Sequence, residues 1–203
     1  MGGRAVECIG LENRRLFTES VSSNLTPSAK TAPIERELFL SAGNMHKTNA
    51  LRMLDQAKIS YRVIEYQIKD EKIDAVSVAA KIGRSPDTVF KTLVTVSPAR
   101  EYFVFVIPGA KELDLKAAAV AAGQKRIEML PLKELFPLTG YIHGGCSPVG
   151  MKKPFPTFID ESALALDSFC VSGGKIGINI ELAPKVLANF INASFAPLTR
   201  NNQ

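Results

Sequence analysis

Apolar residues recur along most of the chain in two patterns. Some segments have the spacing of about 3.6 residues that is typical of a helix, and the segments between them alternate as in a strand. Five segments have the helical period, and each starts at a residue suited to a helix N-terminus: Thr48, Asp74, Asp114, Pro131 and Pro184. Gly83 and Gly123 follow the second and third segments, where a glycine in the left-handed conformation commonly ends a helix. The pattern therefore predicts five helices.

Short apolar or alternating segments between these helices predict strands. They cover residues 61–66, 89–96, 102–107, 139–143, 157–160, 169–172, 176–180 and 194–198. The segment 97–101 has the length of a hairpin loop, and Gly173-Gly174 is placed as the turn of a second hairpin. Strands thus occur both singly between helices and in hairpins, so we expect a mixed sheet in an α/β (α+β) fold.

Residues 1–44 lack this periodicity and are rich in Ser, Thr, Asn and Pro. Five basic residues balance five glutamates there, which argues against an organelle transit peptide. The segment contains no apolar stretch of the roughly 7–15 residues that a secretory signal needs. We expect a poorly ordered extension over 1–44 and one folded domain over 45–203.

The composition of the chain argues against several classes of protein. The chain has 203 residues, three scattered cysteines without a CxxC pair and two histidines, which argues against a disulfide scaffold and a zinc site. It contains no run of about 18 apolar residues that could span a membrane. We therefore expect a cytoplasmic protein without metal or cofactor. The net charge of +5 falls within 45–203 and favours an anionic partner.

Lys91 stands in an otherwise apolar strand, on the same face as Val89 and Leu93. Burial disfavours an ammonium ion, so a lysine at such a position suggests that it binds a phosphate or stabilises an oxyanion. Alternatively, the strand lies at an edge and the amine reaches water along its apolar stem. The residues alone leave both interpretations open.

Two glycine-containing loops could also bind a ligand. Residues 144–153 contain three glycines and end in two lysines, and residues 172–175 place a serine and a lysine around Gly173-Gly174. Glycines allow main-chain amides to approach an anion, but both loops could equally be ordinary turns. His143 and Cys146 could act as base and thiol nucleophile, although a spacing of three in a strand or loop does not by itself ensure that they are within hydrogen-bond reach.

Together these motifs resemble the YbaK/EbsC family, free-standing homologues of the editing domain of bacterial prolyl-tRNA synthetases. The resemblance covers about residues 46–198, through Phe90-Lys91-Thr92-Leu93, residues 140–153 and residues 171–177. The form GG-x-SP-x-G-x-KK resembles the cysteinyl-tRNA(Pro) deacylase branch more than the alanyl branch.

The resemblance implies a mixed, strongly curved, barrel-like sheet flanked by helices, and hydrolysis of a wrong amino acid from the 3′ end of tRNA. A pocket sized for proline excludes cysteine poorly, and a second hydrolytic site is the usual remedy. The implied substrate is tRNA(Pro) aminoacylated with cysteine, and the implied partner is prolyl-tRNA synthetase in a transient ternary complex.

The resemblance also assigns site residues. Lys91 would bind the terminal adenosine and its phosphate, and Gly144 and Gly145 would lie against the aminoacyl group. The remaining predicted pocket residues are Tyr66, Thr92, Ser172 and Asn179. Asn179 stands where some relatives have an acid, and Ile73-Asp74 where some have an aromatic residue. The substrate's own thiol would attack the carbonyl, so no protein nucleophile is expected.

Other functions remain open on the sequence. One is a deacylase that prefers another amino acid such as alanine, and another is a non-catalytic tRNA- or protein-binding module of the same fold. A third is a small-molecule hydrolase or lyase that uses His143 or Cys146.

Overall fold

A computed structural model describes residues 47–67 and 74–200 of the chain. The α-helices are α1 (Asn49–Gln56), α2 (Ala75–Lys81), α3 (Leu115–Ala121), α4 (Leu132–Thr139) and α5 (Pro184–Ile191). The strands are β1 (Arg62–Glu65), β2 (Phe90–Val96), β3 (Tyr102–Pro108), β4 (Glu128–Met129), β5 (Thr157–Asp160), β6 (Phe169–Lys175), β7 (Ile178–Leu182) and β8 (Ser194–Ala196). Two short 3₁₀ helices cover Pro86–Thr88 and Glu161–Ala165. Within the described part, no helix is long and apolar enough to cross a membrane.

The five predicted helices are all present, and local capping determines most of their ends. The side chains of Thr48, Asp74 and Asp114 each accept a hydrogen bond from a main-chain N–H of the first turn. Such a bond satisfies a donor that has no partner within the helix. Gly83 and Gly123 follow α2 and α3 with φ values of 65° and 66°, as predicted.

The strands form two sheets. The first has the order β1-β7-β6 and is antiparallel throughout. The second has the order β4-β2-β3-β5-β8, in which β3 pairs with β5 and β5 with β8 in parallel. The predicted mixed arrangement of strands and helices is therefore confirmed.

The structure does not support the expected barrel-like curvature, because neither sheet closes. In the described part, β-bridge pairing between the two sheets is limited to one isolated bridge, from Val89, which precedes β2, to Cys170 of β6. Beyond this bridge, β6 bulges at Gly173 and Gly174, and the carbonyl of Gly173 accepts a hydrogen bond from the Thr48 hydroxyl. The main chain of β6 is thus bonded to the start of α1 at this point.

A shared core nevertheless joins the two sheets. Phe90 on β2 and Phe169 on β6 pack edge to face, with ring centroids 5.0 Å apart. They belong to one buried cluster with residues of α1 and α5. An edge-to-face aromatic pair contributes about 0.5–1.5 kcal/mol beyond its buried area, so this contact helps to hold β2 and β6 together.

Residues 139–143, predicted as a strand, form a helix end and a loop. Thr139 is the last residue of α4, and Gly140 ends the helix with a φ of 83°. Tyr141 is buried, its N–H bonded to the Thr139 hydroxyl and its own hydroxyl donating to the carbonyl of Val149. The apolar character of this segment therefore reflects the packing of one tyrosine and not a strand face.

Gly173-Gly174, predicted as a hairpin turn, lies within β6. The register shifts between Ser172 and Lys175, and the turn between β6 and β7 falls at Ile176 and Gly177. A Cβ on Gly173 would lie 2.7 Å from the Ile178 side chain, and Gly174 has a φ of 92°. Both glycines are therefore required by the bulge. The predicted extension over 1–44 and the domain start at 45 lie outside the described residues.

Candidate active site

A cavity of about 770 Å³ opens where the two sheets separate. Its walls come from β2, from the end of β1, from the start of α2, from β6 and β7 and from the loop that follows α4. Six of the seven predicted site residues line it, namely Tyr66, Lys91, Thr92, Gly144, Ser172 and Asn179. The seventh, Gly145, is buried next to Gly144 but is not part of the wall. The fold therefore brings together residues that are far apart in the sequence.

Lys91 lines the cavity as a half-buried side chain. Its Nζ donates a hydrogen bond to the main-chain carbonyl of Gly109, at 3.1 Å. Burial lowers the pKa of this ammonium group, and the negative charges of Glu112 and Asp74 oppose the shift. Because an ammonium has three N–H groups, Lys91 can donate to a ligand while it remains bonded to Gly109.

The main chain of β2 also faces the cavity. On one side, the N–H of Gly109 bonds to the carbonyl of Val89, and on the other the N–H of Leu130 bonds to the carbonyl of Val94. Residues of an antiparallel strand alternate in the side to which their N–H and C=O groups point. Thr92 therefore directs its peptide groups to the same side as Val94, but β4 pairs only with Thr95 and Val96. The open edge of β2 adds main-chain donors and acceptors to the cavity wall.

Gly144 lies in a tight turn that also lines the cavity. The N–H of Gly145 donates to the carbonyl of Ile142, at 3.0 Å, which makes His143 and Gly144 the central residues of the turn. Gly144 has a φ of 78°, a conformation that favours glycine at this position of a type II turn. Its own N–H has no acceptor among the described residues. Gly144 can therefore offer this N–H to a ligand.

Gly145 serves a different purpose from its neighbour. Its N–H already closes the turn, so it is not available to a ligand in this conformation. A Cβ at this position would lie 3.1 Å from the main-chain nitrogen of Ile176, tighter than nine in ten such contacts in proteins. Gly145 therefore allows the loop to pack against the turn between β6 and β7.

Ser172 and Asn179 form the wall contributed by the first sheet. They pair across β6 and β7, so their side chains project from the same face. The Ser172 hydroxyl accepts a hydrogen bond from the N–H of Gly174, at 3.2 Å, and its own proton is free to donate. Tyr66 follows β1 on the same sheet, packed partly against Val78 and Val89.

Two cavity residues have buried polar atoms without a partner. They are Nδ2 of Asn179, a side chain that is 6% exposed, and Oγ1 of Thr92. Among the described residues these are the only buried side-chain nitrogen or oxygen atoms in this condition. Leaving such a group unpaired lowers the free energy of unfolding by about 1–3 kcal/mol. A wall packed with apolar side chains would avoid this loss of stability.

Cys146 and His143 also line the cavity, but their geometry does not make them a nucleophile and base. Cys146 is 8% exposed, and burial raises the pKa of its thiol to about 12, so the thiolate is scarce at neutral pH. His143 is exposed, and no hydrogen bond joins it to Cys146. Cys170, the other cysteine in the described part, is also free and buried.

The aminoacyl-tRNA editing domain is the family whose model matches this chain, over residues 70–190. The chain belongs to this family. A relative from Enterococcus faecalis, named as a candidate Cys-tRNA(Pro)/Cys-tRNA(Cys) deacylase, EbsC, is 48% identical over 153 residues. The match covers 75% of this chain and 93% of that protein, which confirms the predicted YbaK/EbsC relationship.

Solved structures support the same assignment. One, described as a candidate trans-editing enzyme for prolyl-tRNA synthetase, matches with a TM-score of 0.68 and 25% identity, over 75% of this chain and 96% of the other. A second, described only as a hypothetical protein, matches with a TM-score of 0.70 and 24% identity, over 75% of this chain and all of the other. The second likeness shows the fold alone.

Sequence reasoning missed two acidic residues in the wall of this editing domain. Asp74 was expected as the cap of α2, which it is, since it accepts a hydrogen bond from the N–H of Ser77. Glu112 follows β3 in a loop without any recognisable motif. Both lie close enough to Lys91 to influence its pKa. Nowhere in the described part do three or more His, Cys, Asp or Glu side chains form a group that could hold a metal ion.

Proposed function

We propose that this protein hydrolyses, in trans, the ester that joins cysteine to the 3′ end of tRNA(Pro). One observation carries the proposal: Lys91 and the unpaired N–H of Gly144 lie on the walls of a single cavity in an aminoacyl-tRNA editing domain. The name of the 48% identical EbsC supports cysteine as the amino acid. The cavity volume of about 770 Å³ is in the range of small-molecule sites and would accommodate a nucleoside with a small acyl group.

Lys91 is the residue to which we assign the terminal adenosine and its phosphate. A half-buried ammonium group loses part of its hydration, which costs free energy. A charge-assisted hydrogen bond to an anionic ligand would offset this cost. Its bond to Gly109 fixes the direction in which the remaining N–H groups point. Lys91 would thus hold the ester in place through the phosphate next to it.

Gly144 is the residue that would stabilise the developing oxyanion. When the ester carbonyl is attacked, negative charge collects on its oxygen, and a fixed main-chain N–H lowers the energy of that state. The turn holds the Gly144 amide in position before substrate arrives, since Gly145 bonds to Ile142. Gly145 then acts as a positioning residue for its neighbour.

The proposed chemistry needs no nucleophile from the protein. The cysteinyl thiol of the substrate loses its proton to water and attacks its own carbonyl carbon, so a carbon–sulfur bond forms. The bond from that carbon to the ribose oxygen breaks, the ribose oxygen takes up a proton from water, and a cyclic thiolactone leaves. Water then opens the thiolactone to free cysteine, which completes the net hydrolysis of the ester. The high pKa of the Cys146 thiol is consistent with this route, because a protonated thiol attacks esters poorly.

Tyr66, Thr92, Ser172 and Asn179 are the residues that we assign to the substrate pocket. The Ser172 hydroxyl and the unpaired Asn179 amide are hydrogen-bond donors on one face of the first sheet. Thr92 faces them from the open edge of β2 and contributes peptide groups as well as its hydroxyl. When the correct substrate forms hydrogen bonds with buried polar groups of a site, the site discriminates strongly against a substrate that leaves those groups unpaired.

We assign tRNA(Pro) binding mainly to phosphate contacts, because the domain over 45–203 carries the whole net charge of +5. Selectivity for this tRNA would come from a transient complex with prolyl-tRNA synthetase, which would place the protein in the cytoplasm. Binding should then weaken steeply as salt concentration rises.

A panel of tRNA(Pro) charged with cysteine, alanine or proline tests the proposal. Wild-type protein should hydrolyse the cysteinyl ester fastest, in single-turnover assays corrected for spontaneous hydrolysis. The Lys91→Met variant should lose about 10²–10³-fold in rate, as when one stabilising donor is removed from an active site. Lys185→Met, which removes an exposed lysine of α5, is the matched control and should be as fast as wild type.

Three results would contradict the proposal. Full activity of a folded Lys91→Met protein would remove that residue from the reaction. Faster cleavage of the alanyl ester would assign a different substrate to the same site. Binding of tRNA without hydrolysis of any ester would make the protein a binding module.

A further inference from the structure

The outer side of α4 is an exposed apolar surface at the mouth of the cavity. Leu132 is 68% exposed and Phe136 is 56% exposed, and their spacing of four places them together on one side of the helix. Leu132 also lines the cavity, so this surface continues the cavity wall outwards. Leu135 and Leu138 pack against the core instead, so neither Leu132 nor Phe136 is needed to fill it.

Two lysines lie near the exposed ring of Phe136. The Nζ of Lys152 lies 5.1 Å from the centroid of the Phe136 ring and donates to the carbonyls of Phe136 and Pro137, at 3.3 and 3.2 Å. Lys133 is exposed on the same helix, three residues before Phe136. We call Leu132, Lys133, Phe136 and Lys152 the α4 face.

The acidic residues near the α4 face are paired with arginines. Glu134 of α4 forms an ion pair with Arg100, and Glu128 of β4 forms one with Arg126. Lys133 has no such partner among residues 47–67 and 74–200. The α4 face is therefore apolar, aromatic and positively charged.

We propose that the α4 face binds the unpaired nucleotides that immediately precede the terminal adenosine, with a base stacked on Phe136. An exposed aromatic ring flanked by cations is the combination that binds single-stranded nucleic acid, because bases stack on the ring and phosphates pair with the cations. Phe136 lies about 6 Å along the helix from Leu132 at the cavity wall, so a strand that leaves the cavity passes over the ring. The inference rests on the proposed function, since it takes the terminal adenosine to occupy the cavity.

Comparing two substrates tests the α4 face separately from the cavity. The Phe136→Ala variant should show a KM for Cys-tRNA(Pro) raised by about 5- to 10-fold with kcat unchanged, the lower range for loss of one stacked base. Its hydrolysis of 2′(3′)-O-cysteinyl adenosine, which lacks the preceding nucleotides, should equal that of wild type. Phe136→Tyr should retain the low KM and Phe136→Leu should not, because stacking requires a ring. Val120→Ala, at a side chain of α3 that is 79% exposed, is the control.

Several outcomes would overturn the inference. One is an equal loss on both substrates, which would mean that Phe136 acts within the cavity or in folding. Another is a loss seen only when prolyl-tRNA synthetase is added, which would make the α4 face a protein interface. Unchanged KM values for Phe136→Ala would exclude any role.

A binding measurement separates this inference from the proposed function. If wild-type protein hydrolyses neither ester, the proposed function fails, and titration with a fluorescent, unacylated RNA of sequence 5′-ACCA-3′ then decides the inference. Weaker binding of this RNA by Phe136→Ala than by wild type would support the α4 face as a single-strand site. Equal binding, or no binding by either protein, would overturn it.

Discussion

Replacing Asn179 with leucine tests whether the cavity wall is built for a ligand or for stability. Asn179 lies on β7, the central strand of its sheet, where it is 6% exposed and its Nδ2 has no hydrogen-bond partner. Its cross-strand neighbour Ile64 is apolar. Leucine has the same number and branching of side-chain heavy atoms as asparagine and no polar group to satisfy, and the cavity beside position 179 leaves room for its larger methyl groups.

The expected effect on stability follows from the unpaired amide. An unsatisfied buried donor costs about 1–3 kcal/mol, so the Asn179→Leu protein should gain at least about 1 kcal/mol in free energy of unfolding. For a domain of this size, each 1 kcal/mol raises Tm by about 2–4 °C. Deacylation should change in the opposite direction, because one hydrogen bond to the substrate is lost. A net value of about 0.5–1.5 kcal/mol for such a bond predicts a fall in kcat/KM of roughly 2- to 13-fold.

Thermal unfolding and single-turnover deacylation of Cys-tRNA(Pro) together provide the assay. Asn189→Leu, at an exposed position of α5, is the matched control and should change the free energy of unfolding by less than about 0.5 kcal/mol, with no effect on rate. A lower Tm combined with full activity in Asn179→Leu would refute the reasoning. It would mean that the amide contributes to the fold and does not contact substrate.

Three further predictions concern the titratable groups of the cavity. If Lys91 acts as an ammonium, kcat/KM should fall as pH rises through its pKa, which burial places below the ordinary value for lysine, and Lys91→Arg should move that fall to higher pH. Because the folded-state pKa of Lys91 is lowered, its charged form destabilises the fold at every pH below that pKa, so Lys91→Met should not lower Tm in melts at neutral pH. Cys146→Ser should keep most of the deacylase activity, since burial raises the thiol pKa to about 12, and complete loss in a folded variant would restore the thiol as nucleophile.

Local features of the sequence predict the helices well because their causes are local. Thr48, Asp74 and Asp114 each cap a helix through a hydrogen bond to a residue two or three positions later. The hairpin over 97–101 is predicted for the same reason, because its length and the apolar strands on both sides specify it. None of these features depends on contacts between distant parts of the chain.

The arrangement of the strands is determined by contacts that a single sequence does not reveal. Strand β6 has a bulge at Gly173-Gly174 and accepts a bond from Thr48 to the carbonyl of Gly173, 125 positions away in the sequence, and neither feature follows from a local pattern. The same bulge is the reason why the turn predicted at these two glycines is wrong. Adjacent glycines are typical of a hairpin turn, but here the close approach of Ile178 requires a glycine within the strand.

Gly144 and Gly145 illustrate what a motif can and cannot specify about an active site. As adjacent glycines in one loop they are equivalent in the sequence, and both were predicted to contact the aminoacyl group. In the structure, the N–H of Gly145 donates a hydrogen bond to the carbonyl of Ile142, and Gly145 lies against Ile176. Of the two glycines, only Gly144 has an unbonded N–H at the cavity. The pair therefore combines two separate requirements, positive φ at the first position and close packing at the second. The first requirement directs the N–H of Gly144 to the substrate in the proposed reaction. The second keeps the loop that carries Gly144 in position.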